Sequence, residues 1–259
     1  MCSDPDSHPP IEPAGHGSAS GREIGLIVGD GNRCTAYQAD ASRPTGVGMI
    51  VLPDYHGLTG FYRELALRFA EDGIDAVAID YYDRTAGPPP RDASFEPQRY
   101  ARQTKWTDLQ ADVAAAAAHL RMRRHVTSLF SIGFCFGGRV SFLLGSLPGL
   151  RMAGVIGFYG WPVGPFLNDT PAPAAVASHL EAPVLGIFGG ADRKIPATDV
   201  EAFRRALAAA STEHDIRTYE HAPHSFFDRA QAEHAEAATD AWAAVRGFIA
   251  SHGGLRVTP

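Results

Sequence analysis

The stretch Gly133-Phe134-Cys135-Phe136-Gly137 has the form Gly-x-nucleophile-x-Gly. An apolar run, 126–132, leads into it, and a segment with helical character, 137–147, leads out. The five residues therefore read as a strand-to-helix turn. Small residues at both ends let strand and helix approach, and such a turn holds its central side chain strained at the carboxyl end of the strand. Cysteine suits this place as a nucleophile, because a helix N-terminus favours a thiolate and an oxyanion developing beside it. The competing reading is a buried apolar cysteine, a common fate of the free thiol. Strand, turn and helix together favour the nucleophile.

A thiol nucleophile needs a base, and the base needs an acid to orient it. The order nucleophile, acid, base places both downstream. Gly189-Gly190-Ala191-Asp192 puts Asp192 just past the end of the apolar run 184–188. Beyond the next strand, 216–219, lies Glu220-His221-Ala222-Pro223-His224-Ser225-Phe226. Either histidine could reach the turn; His224 is preferred because it lies in the loop after the strand and before the last helix. Eleven histidines make a chance match cheap, and an aspartate in a loop is usually a turn former or helix cap. The ordered trio, rather than any one member, carries the argument.

These residues need a frame that brings strand ends together. Short apolar runs at 47–52, 76–79, 126–132, 155–158 and 184–188 are bounded by Gly, Pro, Asp or Arg, as expected of strands covered on both faces. Amphipathic segments at 60–71, 105–121, 137–147, 197–210 and 229–251 alternate with them. In the second, Trp106, Leu109, Val113, Ala117 and Leu120 share one face, with acids early and arginines late to complement the helix dipole. Strand–helix alternation with short connections implies right-handed crossovers and an α/β class, a doubly wound, mostly parallel sheet with helices on both faces. Residues 25–28 and 36–39 read as an antiparallel edge pair. Residues 1–21, rich in Pro, Gly, Ser and His, read as a disordered tail, and 22–259 as a single domain.

Composition narrows the partners. The 259 residues carry 23 Lys and Arg against 29 Asp and Glu, a net charge of −6, with no basic run, which argues against nucleic acid. The longest uncharged stretch, 152–168, contains two prolines and three further glycines after Gly154, so no membrane span is expected. Cys2, Cys34 and Cys135 make neither a disulfide framework nor a Cys-x-x-Cys pair, and a reduced, cytoplasmic protein is expected. No metal or cofactor is expected: the histidines lack paired ligand spacing, although His221 and His224 are three apart.

With Gly-Phe-Cys-Phe-Gly-Gly at 133–138, Gly-Gly-Ala-Asp ending at Asp192 and His-Ser-Phe starting at His224, the sequence resembles the dienelactone hydrolase family of α/β-hydrolases from about residue 25 to 250. The resemblance implies hydrolysis of an ester or lactone through Cys135, His224 and Asp192, with a thioester intermediate. It assigns a thiol-contacting carboxylate to Asp54, in Leu52-Pro53-Asp54-Tyr55-His56-Gly57, where the family more often has Glu. It places the oxyanion hole at the backbone N–H groups of Tyr55 and Phe136. Arg84 falls on one family position for a substrate carboxylate, and Arg229 lies one residue beyond the expected second position. Tyr82 and Tyr159 are candidate pocket residues on the same grounds. The expected partner is a small-molecule ester or lactone, and a monomer is the family-level expectation, with a dimer left open. Rival readings are an esterase for another small ester or a secondary-metabolite lactone, a ligand-binding protein on the same fold, and a redox thiol protein. A dehalogenase is excluded, since it would need Asp at position 135.

Overall fold

The computed structural model describes residues 7–13, 19–89, 91 and 94–254. In chain order the elements are β1 (Ala19–Ile27), β2 (Arg33–Ala41), β3 (Val47–Leu52), α1 (Gly60–Glu71), β4 (Asp75–Ile79), the short helices α2 (Asp83–Ala86) and α3 (Pro97–Ala101), α4 (Trp106–Arg124), β5 (Ser128–Phe134), α5 (Phe136–Leu144), β6 (Gly154–Phe158), β7 (Val184–Gly189), α6 (Ala197–Ala209), β8 (His214–Tyr219) and α7 (Ala235–His252). The eight strands form one sheet in the order β1-β2-β4-β3-β5-β6-β7-β8. Neighbours from β4 across to β8 are parallel, and β1 and β2 add an antiparallel edge. The α/β class with a mostly parallel sheet is the architecture observed.

Every residue of β3, β4, β6 and β7 is buried, so both faces of the central sheet are covered. Apart from Asp75 at the start of β4, their sequences are apolar throughout for this cause: a strand with no solvent face has no need of alternation. Helix α4 buries Leu109, Val113, Ala116, Ala117 and Leu120 at helical spacing and ends on His125 in the left-handed region, φ 56°. Within the described residues, no helix is long and apolar enough to cross a membrane.

The edge is longer than its apolar residues suggest. β1 begins at Ala19, and Ala19, Ser20 and Gly21 pair with Ala41, Asp40 and Ala39. The tail expected over 1–21 is corrected there. These residues are small or polar and carry no hydrophobic signal; the backbone of β2 supplies their order. Within 7–13, Pro9 is buried, Ile11 packs against the core, and Ser7 Oγ donates to the Asp228 carbonyl. Residues 1–6 and 14–18 lie outside the described residues. The last helix starts at Ala235 rather than 229, because 224–234 make successive turns instead.

A parallel sheet sends all its carboxyl ends to one edge, and ligand-binding loops gather there. Asp54 follows β3, Cys135 follows β5, Tyr159 follows β6, Asp192 follows β7 and His224 lies five residues past β8. The closest packing on that edge is at the β5–α5 turn. A Cβ on Gly133 would stand 2.0 Å from the Gly137 carbonyl oxygen, and one on Gly137 would stand 2.1 Å from that of Leu52. Neither carbonyl belongs to a flexible side chain, so the turn admits only glycine at both places. Gly137→Ala is therefore expected to destabilise the fold by at least about 2 kcal/mol, read from urea denaturation. A loss below about 0.5 kcal/mol, the scale of an ordinary surface change, would show that the turn has slack.

Candidate active site

Cys135 sits between β5 and α5 with φ 54° and ψ −108°, a conformation that costs an L-residue on the order of 1–3 kcal/mol. Its backbone is fixed on both sides: its N–H donates to the Phe158 carbonyl at 3.0 Å and its carbonyl accepts from Arg139 N–H at 3.2 Å. The side chain is 3% exposed and lines a cavity of about 540 Å³ together with Asp54, Tyr55, Asp192, Arg193, Lys194, His224 and Arg229. Two further strained residues stand beside it, Tyr159 at φ 38° and Ser225 at φ 62°.

Asp192 is anchored by the turn that follows β7. Its Oδ1 accepts the backbone N–H of Lys194 at 2.8 Å and of Ile195 at 3.3 Å, leaving Oδ2 for His224 Nδ1 at 2.6 Å. The imidazole is held further by two rings, Tyr159 at 5.0 Å and Trp161 at 5.1 Å between centroids. With Nδ1 on the carboxylate, Nε2 carries the free lone pair, and it is buried without a hydrogen-bond partner among the described residues. His221 is placed elsewhere: it lines a separate surface groove with Glu220, Glu233 and His234.

Asp54 is 2% exposed and turns back on its own chain, its Oδ1 accepting the His56 N–H at 2.9 Å. Its Oδ2 accepts from Arg229 Nη2 and lies 2.9 Å from His56 Nδ1, while Arg229 Nη2 is 2.6 Å from that same nitrogen. The buried carboxylate is thus compensated by a guanidinium, with the His56 ring held against the pair. Below it lies a second carboxyl, Asp228, 3% exposed, whose Oδ2 is 3.5 Å from the Tyr62 hydroxyl; that hydroxyl accepts the Asp54 N–H at 3.0 Å. Burial first, and then the charge of Asp54, push Asp228 up to about 6. The same causes act on the thiol. Burial, then Asp54, then Asp228 raise Cys135 well above the ordinary cysteine range, against smaller opposing effects of Lys194 and the Phe136 N–H.

The residues singled out from sequence divide. Cys135, Asp192, His224, Asp54, Tyr55 and Arg229 line one cavity. Tyr159 is fully buried behind His224, and Phe136 supplies the first N–H of α5 beside the thiol. Tyr82 is also fully buried; its hydroxyl donates to the Tyr55 carbonyl at 2.5 Å and so positions the cavity wall instead of lining it. Arg84 stands apart from the cavity lining, bonded to Asp112 at 2.8 Å and Asp30 at 2.6 Å. Asp112 is buried on α4, and burying it without a counter-charge would be costly. His56, Tyr62, Trp161, Lys194 and Asp228 were not singled out. His56 had a readable signal in Asp-x-His-Gly, an aspartate able to cap its own turn; Asp228 had none, since nothing in Phe-Phe-Asp-Arg distinguishes a buried acid from a solvated one.

A mostly parallel sheet with nucleophile, acid and histidine candidates on its carboxyl edge defines an α/β-hydrolase fold. Residues 34–253 match the dienelactone hydrolase family, and the chain belongs to that family. It is 33% identical over 238 residues to a provisionally named carboxymethylenebutenolidase of Escherichia coli O157:H7, covering 89% of this chain and 87% of that one. It is 31% identical over 194 residues to the carboxymethylenebutenolidase of Rhodococcus opacus, covering 72% and 73%. Among solved structures, a provisionally assigned dienelactone hydrolase from Klebsiella pneumoniae subsp. pneumoniae MGH 78578 superposes with TM-score 0.79 at 28% identity, covering 90% and 98%. The protein is a dienelactone hydrolase-like enzyme, a hydrolase of esters or lactones.

The charges around the thiol have a direct consequence. A neighbouring carboxylate makes ionising the thiol harder, so removing that charge lowers the thiol's pKa. Asp54→Asn is expected to speed alkylation of Cys135 by iodoacetamide at neutral pH by about tenfold, with the rise in rate beginning at lower pH than in the wild type. Unchanged or slower alkylation would show that Asp54 does not govern the thiol.

Proposed function

We propose that the protein hydrolyses a small carboxylic ester or lactone through a thioester on Cys135, with His224 as proton shuttle and Asp192 as the group that orients it. The observation that carries this reading is the bare Nε2 of a histidine whose Nδ1 is fixed on Asp192, facing the same cavity as a strained cysteine at a helix N-terminus. Buried and flanked by carboxyls, the thiol rests neutral, so it needs a base at the moment of attack. As Sγ adds to the carbonyl carbon, its proton passes to Nε2 and the carbonyl π electrons move onto oxygen. In this reading the N–H groups of Phe136 and Tyr55 receive the oxyanion. Collapse expels the alcohol or enol, which takes the proton from Nε2 and leaves the thioester. Water, deprotonated by Nε2, adds to that carbonyl; expulsion of the thiolate, reprotonated by His224, frees the acid and restores the thiol.

The ester and lactone class draws support from the relatives. The name of the Rhodococcus opacus protein points to an enol lactone, a reactive acyl group with a good leaving group, which a thiol nucleophile suits better than an amide. Steady-state hydrolysis of cis- and trans-dienelactone beside p-nitrophenyl acetate tests the proposal. Cys135→Ala is expected to lose enzyme-dependent turnover of every accepted substrate, His224→Ala at least about a thousandfold and Asp192→Asn at least about a hundredfold in kcat. Full activity in Cys135→Ala would overturn the thiol as nucleophile.

A further inference from the structure

The cavity's charges do not close among themselves. Asp54 is paired with Arg229 and His56, and Asp192 with His224. Arg193 and Lys194 also line the cavity, and among the described residues neither makes an ion pair or a side-chain hydrogen bond. Their backbone is rigid where it matters, because the Lys194 N–H is one of the two that hold Asp192. The ammonium of Lys194 is also close enough to Cys135 to draw its thiol pKa downward, which places this charge within electrostatic reach of the reacting sulfur. Arg84, the cation that sequence resemblance offers for a substrate carboxylate, is committed to Asp112 and Asp30. Arg229 is committed to Asp54.

The Arg193 and Lys194 side chains are both exposed, so they stand at the mouth of the cavity, where the flanking low-dielectric walls make a cation attract an anion more strongly than on open surface. We propose that Lys194, with Arg193 beside it, is the specificity-determining anion subsite of this cavity, receiving a carboxylate on the substrate from the side of the loop that joins β7 to α6. The proposal rests on the hydrolase reading above and adds where the substrate's charge sits. A carboxylate bound there completes the local charge balance without dismantling the Asp54–Arg229 pair, so recognition and the restraint on the thiol are handled by different residues.

Three esters with matched reactivity test this: p-nitrophenyl valerate, its analogue with a carboxylate ending the acyl chain, and an ester with the carboxylate on the phenol leaving group. The readout is the ratio of kcat/KM for the preferred anionic ester to that for the neutral one. In wild type one anionic ester is favoured, less so as salt is raised. In Lys194→Gln that ratio falls about tenfold, through KM, as expected for the loss of one charge-assisted bond. Lys194→Arg restores most of it, and Arg193→Gln added to Lys194→Gln lowers it further. An unchanged ratio overturns the proposal in either of two ways: with all esters slowed alike, Lys194 acts on the thiol, and with none slowed, it is only solvated. Turnover that survives Cys135→Ala would instead bring down the hydrolase mechanism itself, whatever Lys194 does.

Discussion

The approach of β5 and α5 sets the rest of the site. Gly133 lies against the Gly137 carbonyl and Gly137 against that of Leu52, with no room for a Cβ at either place. The chain between them must reverse within one residue, and that residue, Cys135, takes φ 54°. The strain is held by ordinary backbone bonds, from Cys135 N–H to Phe158 and from Arg139 N–H back to Cys135. A side chain placed this way needs no flexible loop to present it. The parallel sheet then delivers the loops after β3, β6, β7 and β8 to the same edge, so the other groups assemble around a point already fixed.

Electrostatics at that point favours a quiet thiol. Two carboxyls, Asp54 and Asp228, lie within influence of Cys135, and both are almost fully buried. Ordinary reasoning about cysteine nucleophiles expects a depressed pKa, from the helix N-terminus and from an imidazolium. Here burial and negative charge outweigh the N–H of Phe136 and the ammonium of Lys194, and the thiol is pushed up. In the proposed mechanism proton transfer to His224 is therefore coupled to attack instead of preceding it, and a neutral resting thiol resists oxidation and alkylation. The geometry of His224, with Nδ1 tied to Asp192 and Nε2 bare, suits this division of labour.

Much of the frame was legible in the residues. The runs at 47–52 and 184–188 and the helix at 60–71 are strands and helix at those places, because a fully buried strand or an amphipathic helix imposes its period on the side chains. The β1 edge was legible only in part: Ala19 to Gly21 are held by backbone pairing, which leaves no mark on side-chain pattern. The placement of Cys135, Asp192 and His224 on the carboxyl edge was readable because each follows the end of a strand by a few residues. Arg84 marks the opposite case. Its position in sequence suits a substrate cation, yet a buried acid 28 residues away, Asp112, claims it. Which charges pair and which stay open is a three-dimensional property, and Lys194 and Asp228 became visible only once their neighbours were known.

A covalent thioester on Cys135 is tested by intact-protein mass spectrometry of an acid-quenched mixture with p-nitrophenyl acetate. The expected result is a transient gain of one acetyl group, mapped by peptide digestion to the segment containing Cys135, removed by neutral hydroxylamine and longer-lived in His224→Asn. Full turnover with no acylated species in either form, or an acetyl group mapped to another residue, would contradict it.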